Sequence, residues 1–379
     1  KGKSLGEGQK KKGKKRKRAK AEVRDLGADV VRLWVASSDY TQDICVGPEI
    51  LGRSSAQYRK FRNVLRFIAG CLNDWDCAPS VHHEQGDDVI MRFVEITGES
   101  SEGVLSLSDK YMLHLLQRFC REVDQSFENL AFTQAIAHVM FFINSKLSAG
   151  YLDSAKDRLY ADYKTSHHRR TTQYVLTMIL ENLLKSLAPI TPHLSQEVYT
   201  FLPEHVISGF NECPVMMSYE FDSVFTHGWL RSESWWESNE AERDMQIIEQ
   251  LSEEANRALE MAREAKVIKG SLDASVYIVS ENKGLIDLLH GLQPNRELPS
   301  LLKTSQVILE ESTSNISNFD ELQFRREASI TLNDLDMNAD VTVIASKASG
   351  HKCARCWNWG ELSEGLDVCP RCNHVLSLQ

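Results

Sequence analysis

Four cysteines close to the end of the chain have the clearest potential for chemistry in this sequence. Cys353 and Cys356 form one Cys-x-x-Cys pair, and Cys369 and Cys372 form a second pair after a gap of twelve residues. Each pair places two thiolates on one side of an ion, and the intervening segment folds back to supply the other two. The spacing therefore predicts one structural Zn²⁺, because four protein ligands leave no position for water or substrate. Two disulfides are the alternative, which the absence of a secretory signal disfavours.

The positive charge of the chain is concentrated at its start. Residues 1–20 contain eleven Lys or Arg and one acid, whereas the remaining residues carry 33 basic and 52 acidic side chains, a formal net charge of −19. This excludes a protein that coats nucleic acid through a generally basic surface, so any such contact must use local basic patches. We interpret the basic run that ends at Lys20 as a solvated tail, with a nucleic-acid arm or a nuclear-localisation-like patch as alternatives.

The length of 379 residues allows two to four domains. No stretch approaches the uncharged apolar length of a membrane span, so no membrane partner is expected. Residues 1–20 lack the apolar segment of a signal peptide, and a chain that begins with Lys1 is expected to lack an N-terminal part of a longer protein.

The elements that would position these groups are mostly helices. Helical periodicity predicts helices at about 29–36, 49–72, 108–127, 129–148, 168–188, 192–202, 239–266 and 282–291. Short β-like runs predict strands at 275–279, 306–310, 329–332 and 341–345. The predicted fold is mainly α, a helical bundle followed by a small α+β module and a C-terminal zinc ribbon.

The predicted helix 49–72 has two faces of different chemistry. Its core face is predicted from apolar residues at spacings of three and four, namely Phe61, Leu65, Ile68 and Leu72. Arg59, Arg62 and Arg66 share another stripe, with no acid among them. Three guanidinium groups in one row are typical of a phosphate-contacting ridge, and an ordinary solvated face is the alternative.

Five segments follow longer motifs. They are 27–41 (GADVVRLWVASSDYT), 62–67 (RNVLRF), 156–160 (KDRLY), 188–193 (APITPH) and 353–358 (CARCWN). Together they resemble the C-terminal part of a bacterial-type or organellar isoleucine–tRNA ligase, a class I aminoacyl-tRNA synthetase. The resemblance implies an anticodon-binding helical bundle and one structural Zn²⁺. Its implied partners are tRNA(Ile) and, in the complete monomeric enzyme, isoleucine and ATP with Mg²⁺.

The resemblance also implies an ATP contact for Lys3, because Lys3-Ser4-Leu5-Gly6 is similar to the end of the family's lysine loop. The loop departs from the family pattern, since Gly2 and Lys1 replace the usual serine and methionine. No His-Ile-Gly-His-like stretch and no Rossmann-type half accompany it. The chain alone is therefore expected not to charge tRNA, and its expected location is a mitochondrion or plastid, with the cytoplasm as alternative.

Further tRNA contacts are predicted in the ribbon and between two bundle helices. The ribbon residues are Arg355, Trp357, Trp359 and Arg371, and the bundle residues are Arg169 and Arg170. Unpaired bases are read by stacking on aromatic rings and arginine planes. Residues 351–379 carry three basic and three acidic side chains, and four thiolates on Zn²⁺ add a formal −2, so the ribbon would act through placed side chains. The alternative is that the tryptophans pack the ribbon against the α+β module.

Five segments are predicted as domains. They are 1–26, a remnant of the lysine loop with a basic tail; 27–75, the end of the catalytic-core connection and the first bundle helix; 76–238, the anticodon-binding bundle; 239–348, the α+β junction module; and 349–379, the zinc ribbon. The alternative functions are a valine or leucine sister enzyme, a stand-alone zinc-ribbon nucleic-acid-binding protein, and a regulatory scaffold derived from a synthetase.

Overall fold

The structure, a computed structural model, describes residues 26–75, 105–208, 210, 223–316, 324–332 and 337–378. The predictions for Lys3 and for the basic run lie outside the described residues, and so does the start of the predicted 76–238 segment. No helix in the described part of the chain combines the length and the apolar character needed to cross a membrane.

The secondary structure confirms a mainly α fold. The first helices are α1 (Ala28–Ala36), α2 (Pro48–Cys71), α3 (Leu107–Glu128), α4 (Phe132–Phe141), α5 (Leu152–Ala161), α6 (His167–Leu187), α7 (Pro192–Thr200) and α8 (Glu204–Ile207). The later helices are α9 (Asn239–Glu264), α10 (Lys283–Gly291), α11 (Glu297–Leu301) and α12 (Pro370–Ser377). The strands are β1 (Ala274–Val279), β2 (Gln306–Glu310), β3 (Phe324–Leu332), β4 (Met337–Lys347), β5 (His351–Lys352) and β6 (Trp359–Gly360).

Helix α5 is the main departure from the sequence-based prediction, which ends a helix near residue 148. The structure continues through a π-helix, Phe142–Tyr151, directly into α5. Gly150 lies within this helical stretch although glycine is a poor helix former. The chain stays helical there because Tyr151 is buried and its hydroxyl donates a 2.6 Å hydrogen bond to Asp109, a partner 42 residues away.

The described residues form two compact units, and the first is a helical bundle built from 26–75, 116–148, 176–208 and 223–232. The predicted core face of α2 is confirmed, because Phe61, Leu65, Ile68 and Leu72 are each 0% exposed. Thr191 lies at the capping position of α7, but its side chain makes no capping bond. Asp29 of α1 takes that role, accepting from the backbone N–H of Leu194 at 2.8 Å and contacting His193 Nδ1 at 2.8 Å.

The second unit combines residues 105–115, 149–175 and 233–378 as far as they are described. Its four-stranded sheet has the order β2-β1-β4-β3, with β1 and β2 parallel and the other neighbours antiparallel. Helix α9 packs on β3 and β4, and α10 lies in the crossover between β1 and β2. The predicted α+β module is thus confirmed.

A buried polar network holds α5 within this second unit. Arg158 Nη1 donates to Asp109 Oδ2 at 2.9 Å and to Ser106 Oγ at 2.9 Å, while its Nη2 donates to Ser108 Oγ at 3.1 Å. Asp109 is 0% exposed. Arg158 neutralises its charge at Oδ2, and the Tyr151 hydroxyl donates to its other oxygen, Oδ1. Because a buried charge is tolerated only when it is paired, this network restricts how α5 can be placed.

The ribbon begins at Gly350, which no other residue can replace unless the neighbouring backbone moves. Gly350 has a φ of +85°, and a Cβ at this position would overlap the backbone carbonyl of Gly360. This close approach lets β5 pair with β6, with His351 opposite Gly360 and Lys352 opposite Trp359. The two-stranded ribbon and helix α12 then present the four cysteines to one another.

Candidate metal centre and tRNA-binding surface

The four predicted ligands form one cluster. The Sγ atoms of Cys353, Cys356, Cys369 and Cys372 all lie within 4.8 Å of one another. With Zn–S bonds of about 2.3 Å, two sulfurs of a tetrahedral site are separated by about 3.8 Å. The Cys356 and Cys369 sulfurs are 3.8 Å apart, so the donor set fits a four-thiolate metal site. Among the described residues, no other group of three or more His, Cys, Asp or Glu side chains is placed to hold a metal ion.

Local backbone geometry prepares the sulfurs unequally. Burial raises the pKa of Cys353, but backbone N–H groups of Cys356, Cys369 and Arg355 outweigh it and lower the pKa to about 6. Burial instead raises the pKa of Cys356, and it raises the pKa of Cys372 to about 12. One thiolate is therefore available near neutral pH to begin metal binding, whereas the Cys356 and Cys372 thiols must lose their protons to complete it.

We expect zinc affinity to rise steeply with pH. Since the Cys356 and Cys372 thiols keep their protons near neutral pH without the metal, binding must release at least about two protons, and log K should rise by about two per pH unit between about pH 6.5 and 8. Competition with a chromophoric chelator at several pH values measures this slope. A zinc affinity that does not change over this range would contradict the proton-coupled site.

The ribbon is fastened to α5 by arginine and asparagine side chains. Arg371 makes a two-pronged contact with Asp157, with Nη1 to Oδ2 at 2.6 Å and Nη2 to Oδ1 at 2.8 Å, and lies 3.4 Å from Asp162. Asn358 Nδ2 donates to Asp157 Oδ1 at 3.2 Å. Burial pushes the pKa of Asp157 upwards, but the hydrogen bonds and charge of Arg371 outweigh burial and keep that pKa below its usual value.

Arg355 reaches the end of the same helix. Its Nη1 donates to the carbonyl of Ala161 and its Nη2 to the carbonyl of Tyr160 at 3.4 Å. The last carbonyls of a helix lack partners within the helix, so a guanidinium there satisfies them and complements the helix dipole. Nη1 also lies 3.5 Å from Cys372 Sγ, where its charge favours a thiolate. The predicted tRNA-contacting arginines of the ribbon thus both bind protein groups.

The two ribbon tryptophans have different surroundings. Trp359 Nε1 donates to Asp273 at 3.1 Å, its backbone N–H donates to Ser305 Oγ at 2.9 Å, and Lys347 Nζ lies 5.6 Å from the ring centre. Trp359 therefore packs the ribbon against the α+β module, as the alternative interpretation expects. Trp357 is 63% exposed and has a φ of +64°, a conformation that side chains with a Cβ rarely adopt. Among the predicted ribbon contacts, Trp357 has the exposed ring that stacking needs.

The predicted bundle arginines also contact protein. Arg169 Nε donates to the carbonyl of Leu159 at 3.1 Å, and its Nη1 donates to that of Lys164 at 3.1 Å. Arg170 is 3% exposed and donates to Gln173 at 3.0 Å. Contact of either arginine with tRNA stays a prediction.

The α2 stripe is on the surface. Arg59, Arg62 and Arg66 are all exposed, and Arg59 is held along the helix by a 3.4 Å bond from its Nε to the Ser55 carbonyl. Arg62 pairs with Glu197 of α7 at 2.6 Å, an ion pair in which both side chains are at least 40% exposed. Such exposed pairs contribute little, so a phosphate can replace Glu197 at low cost.

Sequence reasoning missed Asp157, Asn358 and Asp273. Each lies next to residues that were identified, within the motifs KDRLY and CARCWN or beside β1. No local pattern marks a carboxylate as the partner of an arginine more than 200 residues away. The motif resemblance singled out the segments of Asp157 and Asn358, but it gave neither residue a role.

Comparisons with known proteins locate the chain in a family. The family described as the anticodon-binding domain of tRNA ligase matches residues 109–278. Proteins named isoleucine–tRNA ligase match about 92% of the chain, with 35% identity in Crocosphaera subtropica and 34% in Rippkaea orientalis. One from Staphylococcus haemolyticus is 32% identical over 93% of the chain. In each case the chain spans 33% of the relative's length.

A solved LeuRS chain from Agrobacterium radiobacter K84, in a ternary LeuRS–tRNA–LeuAMS complex, is 15% identical and covers 76% of this chain and 29% of its own length. Its TM-score of 0.35 is below the level at which two folds are considered alike. The sequence matches are the informative ones, and by them the chain belongs with the isoleucine–tRNA ligases and corresponds to a C-terminal part of these proteins that contains the anticodon-binding domain.

Proposed function

We propose that this chain is the tRNA-recognition part of an isoleucine–tRNA ligase. The observation that carries the proposal is the match of residues 109–278 to an anticodon-binding domain, in a chain whose four-cysteine ribbon is fastened to α5 of that same segment. The complete enzyme would use ATP with Mg²⁺ to attach isoleucine to tRNA(Ile). We further propose a monomer located in a mitochondrion or plastid, with the cytoplasm as the alternative.

We propose one Zn²⁺ on the four ribbon cysteines, where the metal would close the ribbon and take no part in the reaction. The support is that the four sulfurs lie within 4.8 Å of one another and that two of them are 3.8 Å apart. Residue Trp357 then stands in a rigid turn between a metal ligand and a residue bound to Asp157, with its ring open to a partner. A rigid, exposed indole is suited to stacking on an unpaired base, because stacking does not require a particular base.

We propose that the α2 stripe contacts the tRNA backbone. The three guanidinium groups project from one helix, so no backbone conformational entropy has to be lost when phosphates bind. The acidic balance of the chain beyond residue 20 opposes general attraction of nucleic acid, so a local row of this kind is required.

Replacing Arg59, Arg62 and Arg66 together by glutamine tests the proposal. We expect tRNA(Ile) binding to weaken and the slope of log K against log salt to fall by about one unit for each phosphate that is no longer bound. Fluorescence anisotropy with labelled tRNA(Ile) at several salt concentrations gives both quantities. A tRNA of different anticodon and a DNA duplex of equal charge serve as competitors, and preference for tRNA(Ile) in the unaltered chain is the primary expected result.

A matched control removes the same charge elsewhere. Glutamine at Arg118, Arg257 and Arg263 also deletes three exposed guanidinium groups, each paired with an acid of its own helix. We expect this triple variant to keep the salt slope of the unaltered chain. An equal weakening of binding in both triple variants would mean that total charge and not the α2 stripe governs binding.

A further inference from the structure

A single carboxylate on α5 connects the two halves of the metal site. Asn358 follows the first cysteine pair, and Arg371 lies inside the second. Both donate to Asp157, at 3.2 Å from Asn358 and at 2.6 and 2.8 Å from Arg371. The Asp157 and Arg371 side chains are only 19% and 28% exposed, so solvent weakens the pair less than at an open surface. We name Asp157, Asn358 and Arg371 together the ribbon clamp.

The clamp occupies the groups that would otherwise meet a nucleic acid. Both Nη atoms of Arg371 donate to Asp157, and a two-pronged contact with a phosphate would need the same two donors. Residue Arg355 is similarly bound to the end of α5. A tRNA contact by the Nη atoms of either arginine would compete with these bonds, whereas Trp357 stays exposed beside the clamp.

From this arrangement we infer that Asp157 is a positioning residue for tRNA binding: it holds the ribbon on α5 so that the exposed Trp357 ring has a fixed place. The inference rests on the proposed function, because it takes tRNA as the partner of Trp357. It changes the roles of Arg355 and Arg371 from direct tRNA contacts to contacts that orient the ribbon.

The sign of one substitution separates the two roles. Asp157→Asn removes a negative charge, so simple electrostatics predicts tighter binding of a polyanion. Positioning predicts the reverse, because the apparent affinity is the intrinsic affinity multiplied by the fraction of protein in the competent arrangement. If the ribbon is clamped in about one molecule in ten, the Kd for tRNA rises about tenfold.

The experiment compares Asp157→Asn with Asp153→Asn in the full chain loaded with zinc. Residue Asp153 lies one turn earlier on α5 and pairs with Lys156 and Lys303, both outside the ribbon. For Asp157→Asn we expect one zinc per chain as before, faster hydrogen exchange in residues 351–378, and a Kd for tRNA(Ile) about tenfold higher. The salt slope should not change, because the same number of phosphates is bound. We expect Asp153→Asn to match the unaltered chain in all four measurements.

A second variant tests the clamp from the ribbon side. Arg371→Gln should weaken tRNA binding as much as Asp157→Asn does, and the double variant should be no worse than either single one, since all three lack the same ion pair. A fall of the salt slope by about one unit in Arg371→Gln alone would show that Arg371 binds a phosphate directly and would overturn the inference.

Two outcomes separate this inference from the proposed function. Ribbon hydrogen exchange that is unchanged in Asp157→Asn overturns the clamp, whatever the chain binds. Failure of the unaltered chain to prefer tRNA(Ile) over the competitors overturns the proposed function and, with it, the role of the clamp in tRNA binding, even if exchange shows that Asp157 holds the ribbon.

Discussion

Replacing Cys356 by serine is expected to abolish zinc binding and to unfold residues 350–378 while the helical bundle and the four-stranded sheet stay folded. Binding of a structural Zn²⁺ contributes about 10–16 kcal/mol in small zinc domains, and it is coupled to their folding. The described ribbon has four buried side chains, and two of them, Cys353 and Cys372, are predicted ligands. Without the metal, Val375 and Asn358 are too little core to hold the segment.

Zinc content by elemental analysis and hydrogen exchange by mass spectrometry test this expectation together. Exchange should increase in peptides from 350–378 and remain slow in α2 and in β1. Cys45→Ser is the matched control, because Cys45 is an exposed free cysteine outside the cluster, and its zinc content and exchange should not change. One zinc retained per chain by the Cys356→Ser protein would show that the four cysteines do not form one site.

Replacing Asp109 by alanine is expected to destabilise the second unit by about 3–5 kcal/mol, the usual cost of removing one partner of a buried ion pair. The change leaves the Arg158 guanidinium, whose side chain is 10% exposed, without its 2.9 Å carboxylate partner. It also removes the acceptor of the buried Tyr151 hydroxyl. Because Arg158 follows Asp157 on α5, the substitution should also loosen the ribbon clamp.

Urea unfolding followed by circular dichroism, with hydrogen exchange to assign the transition to α5, measures the effect. Asp153→Ala, on α5, is the control, since the ion pairs of Asp153 are exposed and are worth about 0–1 kcal/mol. A double variant, Asp109→Leu with Arg158→Met, should be less damaging than Asp109→Ala, because no unpaired charge remains buried. If Asp109→Ala is no less stable than Asp153→Ala, the network is not what holds α5.

Much of the local structure was predicted from the spacing of apolar residues and from the residues at the ends of helices and strands. Helix α2 starts at Pro48 after Gly47 and buries Phe61, Leu65 and Ile68 as their spacing predicts. Helix α9 was predicted at about 239–266 and spans Asn239–Glu264, where the Ser238 side chain caps its start. Strand β2 has the predicted bounds. These features depend on neighbours within one or two turns, which a sequence displays directly.

Helix α5 and the cap of α7 needed information from distant parts of the chain. The predicted helix ends near residue 148, and Thr191 has a side chain that could cap α7. In the structure the Tyr151 hydroxyl donates to Asp109, and Asp29 accepts from the backbone at the start of α7, so distant residues decide both features. A glycine such as Gly150 inside a helix costs about 1 kcal/mol relative to alanine. A buried hydrogen bond together with side-chain packing can contribute more than this cost.

The sequence by itself determined the four-cysteine cluster, since cysteines at this spacing need only a short ribbon to meet, and it indicated the family through long motifs such as CARCWN. It did not determine which arginines are bound to other parts of the protein. Guanidinium groups at Arg355, Arg170 and Arg371 have the same chemistry in a sequence as those at Arg59 and Arg66. Only the tertiary structure decides, because a partner such as Asp157, 214 residues from Arg371, is brought within hydrogen-bonding distance by folding alone.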